Sequence, residues 1–286
     1  MNQSRTSWRR PGHDARSRQL GKLLALLPGF AVSSWILGPG LLRNLLVAVT
    51  AGYLFASLAR LLRRQPLRGV YTDIGVPTTA ALLALLMPPE IPLWLPVVGA
   101  AFASGLVNPV FGGTNQALLH PAMSGYLLVL LTFPERLGGS LPTTDPTLLS
   151  HLWINGGFLL GGLYLLQQRI IRWHIPGSLL TTVLIINWLE GGFASDPLAL
   201  LQIPFTGLAM LAAFFIATDF GSAAITPRGR LLYGTLLGIL LASTPPGATS
   251  VAVAVIIANF CTPLLDHLCR PRIYGHKPDT GHEELL

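Results

Sequence analysis

Three aspartates, Asp73, Asp219 and Asp266, and one histidine, His120, stand at the edges of long apolar stretches of this sequence. An aspartate at the centre of a membrane helix costs about 2.5–3.5 kcal/mol on insertion scales, so each acidic residue in such a setting needs a physical reason. For all three, a helix cap or a nearby arginine partner would suffice. Asp219 has a second reading, because Ala217-Thr218-Asp219-Phe220-Gly221-Ser222 is polar enough to form a loop that dips into protein and lines a cofactor or ion path. His120 precedes Pro121 and has no second histidine at ligand spacing, which favours a hydrogen-bonded interior residue over a ligand of haem or an ion. Asn155, Asn187 and Asn259 fall inside apolar runs and require partners on neighbouring helices.

Other chemistries are poorly supplied. Cys261 and Cys269 lie eight positions apart with no CxxC pairing, so neither an iron–sulfur cluster nor a zinc site is supported. A Gly-rich nucleotide loop, a Ser/His/Asp arrangement and paired carboxylates spaced for hydrolysis are all missing. The chain does not read as an enzyme on its own, and any redox centre must be an organic cofactor or belong to a partner. The segment Gly138 to Thr147 is a hydroxyl-rich turn by sequence physics alone, and Phe111 to Ala122 is too polar and glycine-rich for a lipid-facing helix.

The elements that position these residues follow from composition. Of 286 residues, 51% are hydrophobic and 11% charged, where soluble domains average roughly 25% charged. The apolar residues gather into runs at Leu23–Leu37, Leu41–Leu62, Ile74–Met87, Ile91–Val107 and Ala117–Phe133, then Leu148–Leu166, Ile175–Leu189, Leu198–Ala217, Leu231–Ala242 and Ser250–Leu268. The expectation is an all-α polytopic membrane protein of about ten transmembrane helices in two five-helix halves, some short or broken. A basic cytoplasmic tail would occupy 1–22, the transmembrane domain 23–268, and a cytoplasmic C-terminal tail 269–286. No small-residue cleavage signature follows the basic start, so the tail reads as retained.

Lys and Arg assigned to alternate sides of these spans divide 17 to 2, with only Arg43 and Arg136 on the poorer side. Cytoplasmic loops retain positive charge, so both termini are expected inside. Trp35, Trp94, Trp153, Trp173 and Trp188 fall near span ends, where amphipathic rings anchor at the interface. The net charge of +7 does not point to nucleic acid, because the basic residues sit at span ends without aromatic interleaving.

One block is more specific. Phe214-Phe215-Ile216-Ala217-Thr218-Asp219, followed by Ile225-Thr226-Pro227-Arg228-Gly229-Arg230-Leu231-Leu232-Tyr233-Gly234, resembles the signature of the RnfD family, the D-type membrane proteins of Rnf electron-transport complexes. That family also includes NqrB, from the sodium-translocating NADH:quinone reductase. Phe111-Gly112-Gly113, Pro121-Ala122-Met123, Gly125-Tyr126, Thr262-Pro263-Leu264-Leu265-Asp266 and Arg270-Pro271-Arg272-Ile273-Tyr274-Gly275-His276 extend the similarity from about Asp73 to Lys277.

The resemblance implies a ten-span subunit of an ion-translocating oxidoreductase in the bacterial inner membrane, assembled with the other subunits of an Rnf-like complex. It also implies FMN esterified to a threonine near the external face, within an Asp-x-x-Ser/Thr-Gly-Ala-Thr motif. Here the corresponding loop reads Thr144-Asp145-Pro146-Thr147, which makes Thr147 the candidate attachment residue, with Thr144 the second hydroxyl of the site. A flavin-free scaffold subunit, or a solute channel or transporter on the same architecture, are the competing readings.

Overall fold

The computed structural model describes residues 15–113, 116–137, 148–191, 205 and 207–270, and all regular structure among them is helical. In a bilayer core every backbone N–H and C=O must be satisfied internally, which is why long apolar runs become helices. Helix α1 spans Ala15–Leu37, α2 Gly40–Leu62, α3 Arg68–Tyr71 and α4 Gly75–Leu86. Helix α5 runs Trp94–Val110 and is π-helical over Ala101–Val107. Then come α6 at Pro121–Thr132, α7 at Pro134–Leu137, α8 at Leu148–Gln167 and α9 at His174–Gly191. Helix α10 covers 209–216 and is π-helical from Ala212 to Ile216; α11 is Pro227–Ala242 and α12 Ala248–Leu268.

Helical structure thus falls on each expected apolar run. Among the described residues, four stretches are long and apolar enough to cross a membrane: Arg16–Leu37, Gly40–Leu62, Leu149–Gln167 and Ala248–Leu268. The 12 residues of α4 rise only about 18 Å against a hydrocarbon core of about 30 Å. Its end is set by Pro88 and Pro89, which cannot donate to a continuing helix. Helix α1 begins eight residues before the expected start at Leu23, so Arg16, Arg18 and Lys22 belong to its first turns. The reason lies in tertiary contacts of Arg18 and Lys22, described below.

Many large apolar side chains point outward. Leu42, Leu46, Leu54, Leu58, Leu61 and Leu62 of α2 are exposed, as are all five interfacial tryptophans named above, with Trp35 89% accessible. Such a surface suits hydrocarbon rather than water. At one end of the bundle Arg43 donates to the carbonyls of Pro89 (3.0 Å) and Ile91 (3.4 Å), Asn44 donates to that of Pro88 (3.0 Å), and Trp94 meets Phe133 edge to face at 4.7 Å. At the other end Arg63 donates to the Pro109 carbonyl, and Asp266 accepts from the N–H groups of Ile225 (3.0 Å) and Thr226 (3.2 Å) at the start of α11. Asp73 accepts from Gly75 at 2.9 Å. Asp73 and Asp266 therefore do the capping work expected of acidic residues at helix ends.

Helix–helix contacts are closest where small residues meet. Helices α9 and α11 pack tightly through Gly234 and Gly238, where an added Cβ would stand 2.7 Å from the Ile175 carbonyl and 2.8 Å from that of Leu179. Helices α1 and α8 pair in the same manner: a Cβ on Gly157 would lie 2.9 Å from the Cα of Gly29, and one on Gly161 would overlap the Ala25 carbonyl. Without a hydrophobic driving force between helices in lipid, such backbone approach supplies the association energy.

Substituting Gly161→Leu should force α1 from α8 and destabilise the fold by about 1–3 kcal/mol, read as a lower Tm of the detergent-purified protein. Gly156→Ala, where an added Cβ meets nothing within 4 Å, should leave the Tm unchanged or slightly higher; equal losses in both variants would remove the seam from this account.

Candidate functional site

A buried ion pair joins elements 197 positions apart: Lys22 Nζ, in the second turn of α1, donates to Asp219 Oδ1 at 3.1 Å. The Lys22 side chain is 4% exposed and the Asp219 carboxylate 19%. Helix α1 delivers the lysine, and the π-helical end of α10 delivers the aspartate. The Ala217 N–H reaches back five residues to the Ala212 carbonyl at 2.8 Å, widening the helix just before Asp219. Thr218 turns its hydroxyl onto the Phe214 carbonyl (2.5 Å), which closes the helix end and leaves Asp219 facing inward. Single-turn π segments of this kind are frequent at functional sites.

Phe220 frames the pair. Lys22 Nζ lies 4.7 Å and the Arg18 guanidinium 4.8 Å from its ring centre, both within cation–π range. These contacts explain why α1 continues through a basic stretch that reads as a solvated tail by composition.

Beside the pair is a small void of about 20 Å³, lined by Lys22, Thr78, Thr79, His120, Asp219 and Phe220 among others. Asp219 Oδ2 and His120 Nδ1 are both buried there without a hydrogen-bond partner. His120 is 2% exposed and precedes α6, where its carbonyl accepts from the Ser124 N–H (3.0 Å) and hydroxyl (3.0 Å). Its own backbone N–H is taken by the Asn259 amide oxygen at 2.9 Å; Asn259 in turn donates to the Tyr233 hydroxyl (2.8 Å) and the Val255 carbonyl (3.2 Å). Thr262, one turn on, donates to the Ser222 carbonyl at 3.1 Å. A polar chain thus links α6, α11 and α12 to the loop after α10. His120 is an interior residue with a satisfied main chain and a free ring nitrogen.

The other asparagines are structural. Asn155 donates to the carbonyls of Phe205 (2.9 Å) and Gly207 (3.0 Å) and accepts from Met210 (3.4 Å), pinning the entry of α10 to α8. Asn187 donates to Val183 within α9. No group of three or more His, Cys, Asp or Glu residues suited to hold a metal occurs among the described residues. Thr144 and Thr147 lie outside the described residues. Lys22 escaped sequence reasoning entirely; its one signal was a basic residue four positions from Arg18, on one helical face, at the lip of an apolar run.

Comparison with known proteins decides the family. The sequence model described as the NQR2, RnfD, RnfE family matches residues 3–152 and 147–275. The chain belongs to this family. Similar members include proteins named as the D component of an ion-translocating oxidoreductase complex. One from Aliivibrio salmonicida (strain LFI1238) is 34% identical, covering 93% of this chain and 96% of the relative. One from Aeromonas hydrophila subsp. hydrophila is 33% identical, covering 88% and 92%. One from Yersinia pestis is 33% identical, covering 95% and 97%. The block that carries the resemblance, Phe214 to Asp219, holds the end of the π-helical segment and the paired aspartate.

Breaking a buried pair strands the surviving charge, at about 3–5 kcal/mol, whereas replacing both partners by apolar groups is often neutral or better. Lys22→Met and Asp219→Leu should each lower stability by that order, and the double variant should be more stable than either. Thermal unfolding of the three purified variants in detergent checks this; additive losses would mean that the two side chains are not coupled.

Proposed function

We propose that this chain is the D-type membrane component of an ion-translocating oxidoreductase complex in a bacterial inner membrane, and that the Lys22–Asp219 pair lines its cation path. The observation that carries the reading is the buried pair at a π-helical break, with an unpartnered carboxylate oxygen and imidazole nitrogen on two residues that line one void. Ionisable groups within membrane helices mark ion or proton paths by default. A carboxylate oxygen, an imidazole nitrogen and threonine hydroxyls can take up a proton or a stripped monovalent cation, and the tethered ammonium of Lys22 holds the carboxylate charge when neither is present. The names of the relatives support placing the chain in such a complex beside its other subunits.

The packing supports about ten spans in two five-helix halves. The first spans of each half, α1 and α8, pair together, and so do the last, α6 and α12; within the halves, α2 packs on α5 as α9 packs on α11. The 17 to 2 division of basic residues supports both termini in the cytoplasm. In the complex reconstituted into vesicles, Asp219→Asn should reduce donor-driven uptake of Na⁺ or H⁺ at least tenfold while the subunits still co-purify. Uptake at the unsubstituted rate would remove the pair from the path.

The covalent FMN implied by the family resemblance would sit on Thr147, with Thr144 beside it, and the residues there do not fit it. Where the motif has glycine and alanine, which let a phosphate approach the backbone, this chain has Asp145 and Pro146. The carboxylate repels a phosphate, and the proline has no N–H to offer it. The alignment with the Aliivibrio relative spans 344 positions against 286 residues in the chain, so at least 58 positions of it face no residue here. The two matched stretches of the family model meet at 147–152, beside Thr147. These observations support a chain in which the flavin-bearing segment is shortened and electrons pass through partner subunits. The denatured band of the purified chain should show no acid-stable flavin fluorescence in a gel; a fluorescent band abolished by Thr147→Ala would overturn this part of the reading.

A further inference from the structure

A second cavity, of about 130 Å³, opens between the end of α2, the short α3 and the last turns of α5. Its polar lining is Arg60, Arg63, Gln65, Asp73, Ser104 and Asn108, with the Gly112-Gly113 turn at its edge. Both glycines adopt positive φ, 93° and 125°, so the chain doubles back after α5 and leaves the cavity open at the arginine-rich end of the bundle. None of these groups takes part in the Lys22–Asp219 site.

The two arginines are held ready by the backbone. Arg60 lies against Gly69, where any side chain would collide with its guanidinium, and donates to the Pro66 carbonyl at 3.5 Å. Arg63 donates to the Pro109 carbonyl. A guanidinium has five N–H donors in a planar fork, so each keeps capacity for an anionic oxygen, the geometry that suits phosphate. The same cavity also holds acceptors. Asn108 is 6% exposed, and its Oδ1 is buried with no hydrogen-bond partner. Such an acceptor is costly to leave unmade and calls for a donor from outside the described chain. Asp73 brings a carboxylate to the same cavity.

A ligand complementary to this lining carries a phosphate at one end and an N–H-bearing cation a few bonds away. We propose that the cavity binds the headgroup of an ethanolamine phospholipid, its phosphate between Arg60 and Arg63 and its ammonium toward Asn108 Oδ1 and the Asp73 carboxylate. The assignment rests on the membrane topology proposed above, which puts this arginine-rich end at the depth of the inner-leaflet headgroups. It does not rest on the ion path.

The test uses the delipidated full-length chain in detergent, titrated with phosphatidylethanolamine, phosphatidylglycerol or inorganic phosphate and read by native mass spectrometry. The expected result is one phosphatidylethanolamine per chain, bound at least tenfold more tightly than phosphatidylglycerol and not displaced by millimolar phosphate. Arg60→Gln with Arg63→Gln, and separately Asn108→Leu, should each weaken it tenfold or more. Asn108→Leu should also leave the lipid-free Tm equal or higher, because it deletes an orphaned acceptor; a merely structural role for Asn108 would lower it. Asp219→Asn should leave lipid binding unchanged, which separates this site from the ion path. Equal affinity for the two lipids, displacement by phosphate alone, or wild-type binding by both variants would each overturn the assignment.

Discussion

A positive and a negative charge held 3.1 Å apart inside an apolar bundle is the constraint around which the rest of this molecule is arranged. Neither charge is tolerable there alone. Their meeting requires α1 to start well before its apolar run, requires α10 to widen and stop at Ile216, and requires an aromatic ring at 220 to cover the two cations that α1 brings in. The chain after α10 then has to stay polar and ordered without being helical. Thr262, Asp266 and Thr226 accomplish that, each bonding to backbone in the connection between α10 and α11 or at the start of α11.

The helices were legible because the physics behind them is local. An apolar run flanked by proline, glycine and arginine reports where a helix forms, and among the described residues helical structure falls on each expected run, four of these helices being long enough to span. The capping roles of Asp73 and Asp266 were equally readable, since a carboxylate beside a helix start needs only its immediate neighbours. The site was legible by halves. Asp219 stood out as an acidic residue in a polar break, yet Lys22 passed for part of a solvated tail, because nothing local tells a lysine that snorkels outward from one that turns in to meet a residue 197 positions away. The same limit hid Asn259 and Tyr233 as neighbours of His120, a pairing that exists only once α6, α11 and α12 have docked.

The two polar cavities divide the basic ends of the bundle between them. One is small and framed by the paired residues at the start of α1 and the end of α10; the other is larger and built from the turn-rich region between α2 and α4 together with the end of α5. Ser104 and Asn108 enter the second from the π-helical stretch of α5 and its end, as Asp219 enters the first from the end of α10. In both places an extra residue in the helical turn redirects a side chain that a regular α-helix would point elsewhere.

The glycine seam between α1 and α8 has a mechanical consequence. Where backbone rests on backbone, with Gly157 against Gly29 and Gly161 against Ala25, there is no cushion of rotatable side chains to absorb a displacement. The two helices are bound to slide as one rod, and Lys22 rides on that rod a single turn from the seam. A push on the first turn of α8 is delivered undamped to an ammonium group near the far end of α1, which makes this pair of helices a strut along the bundle.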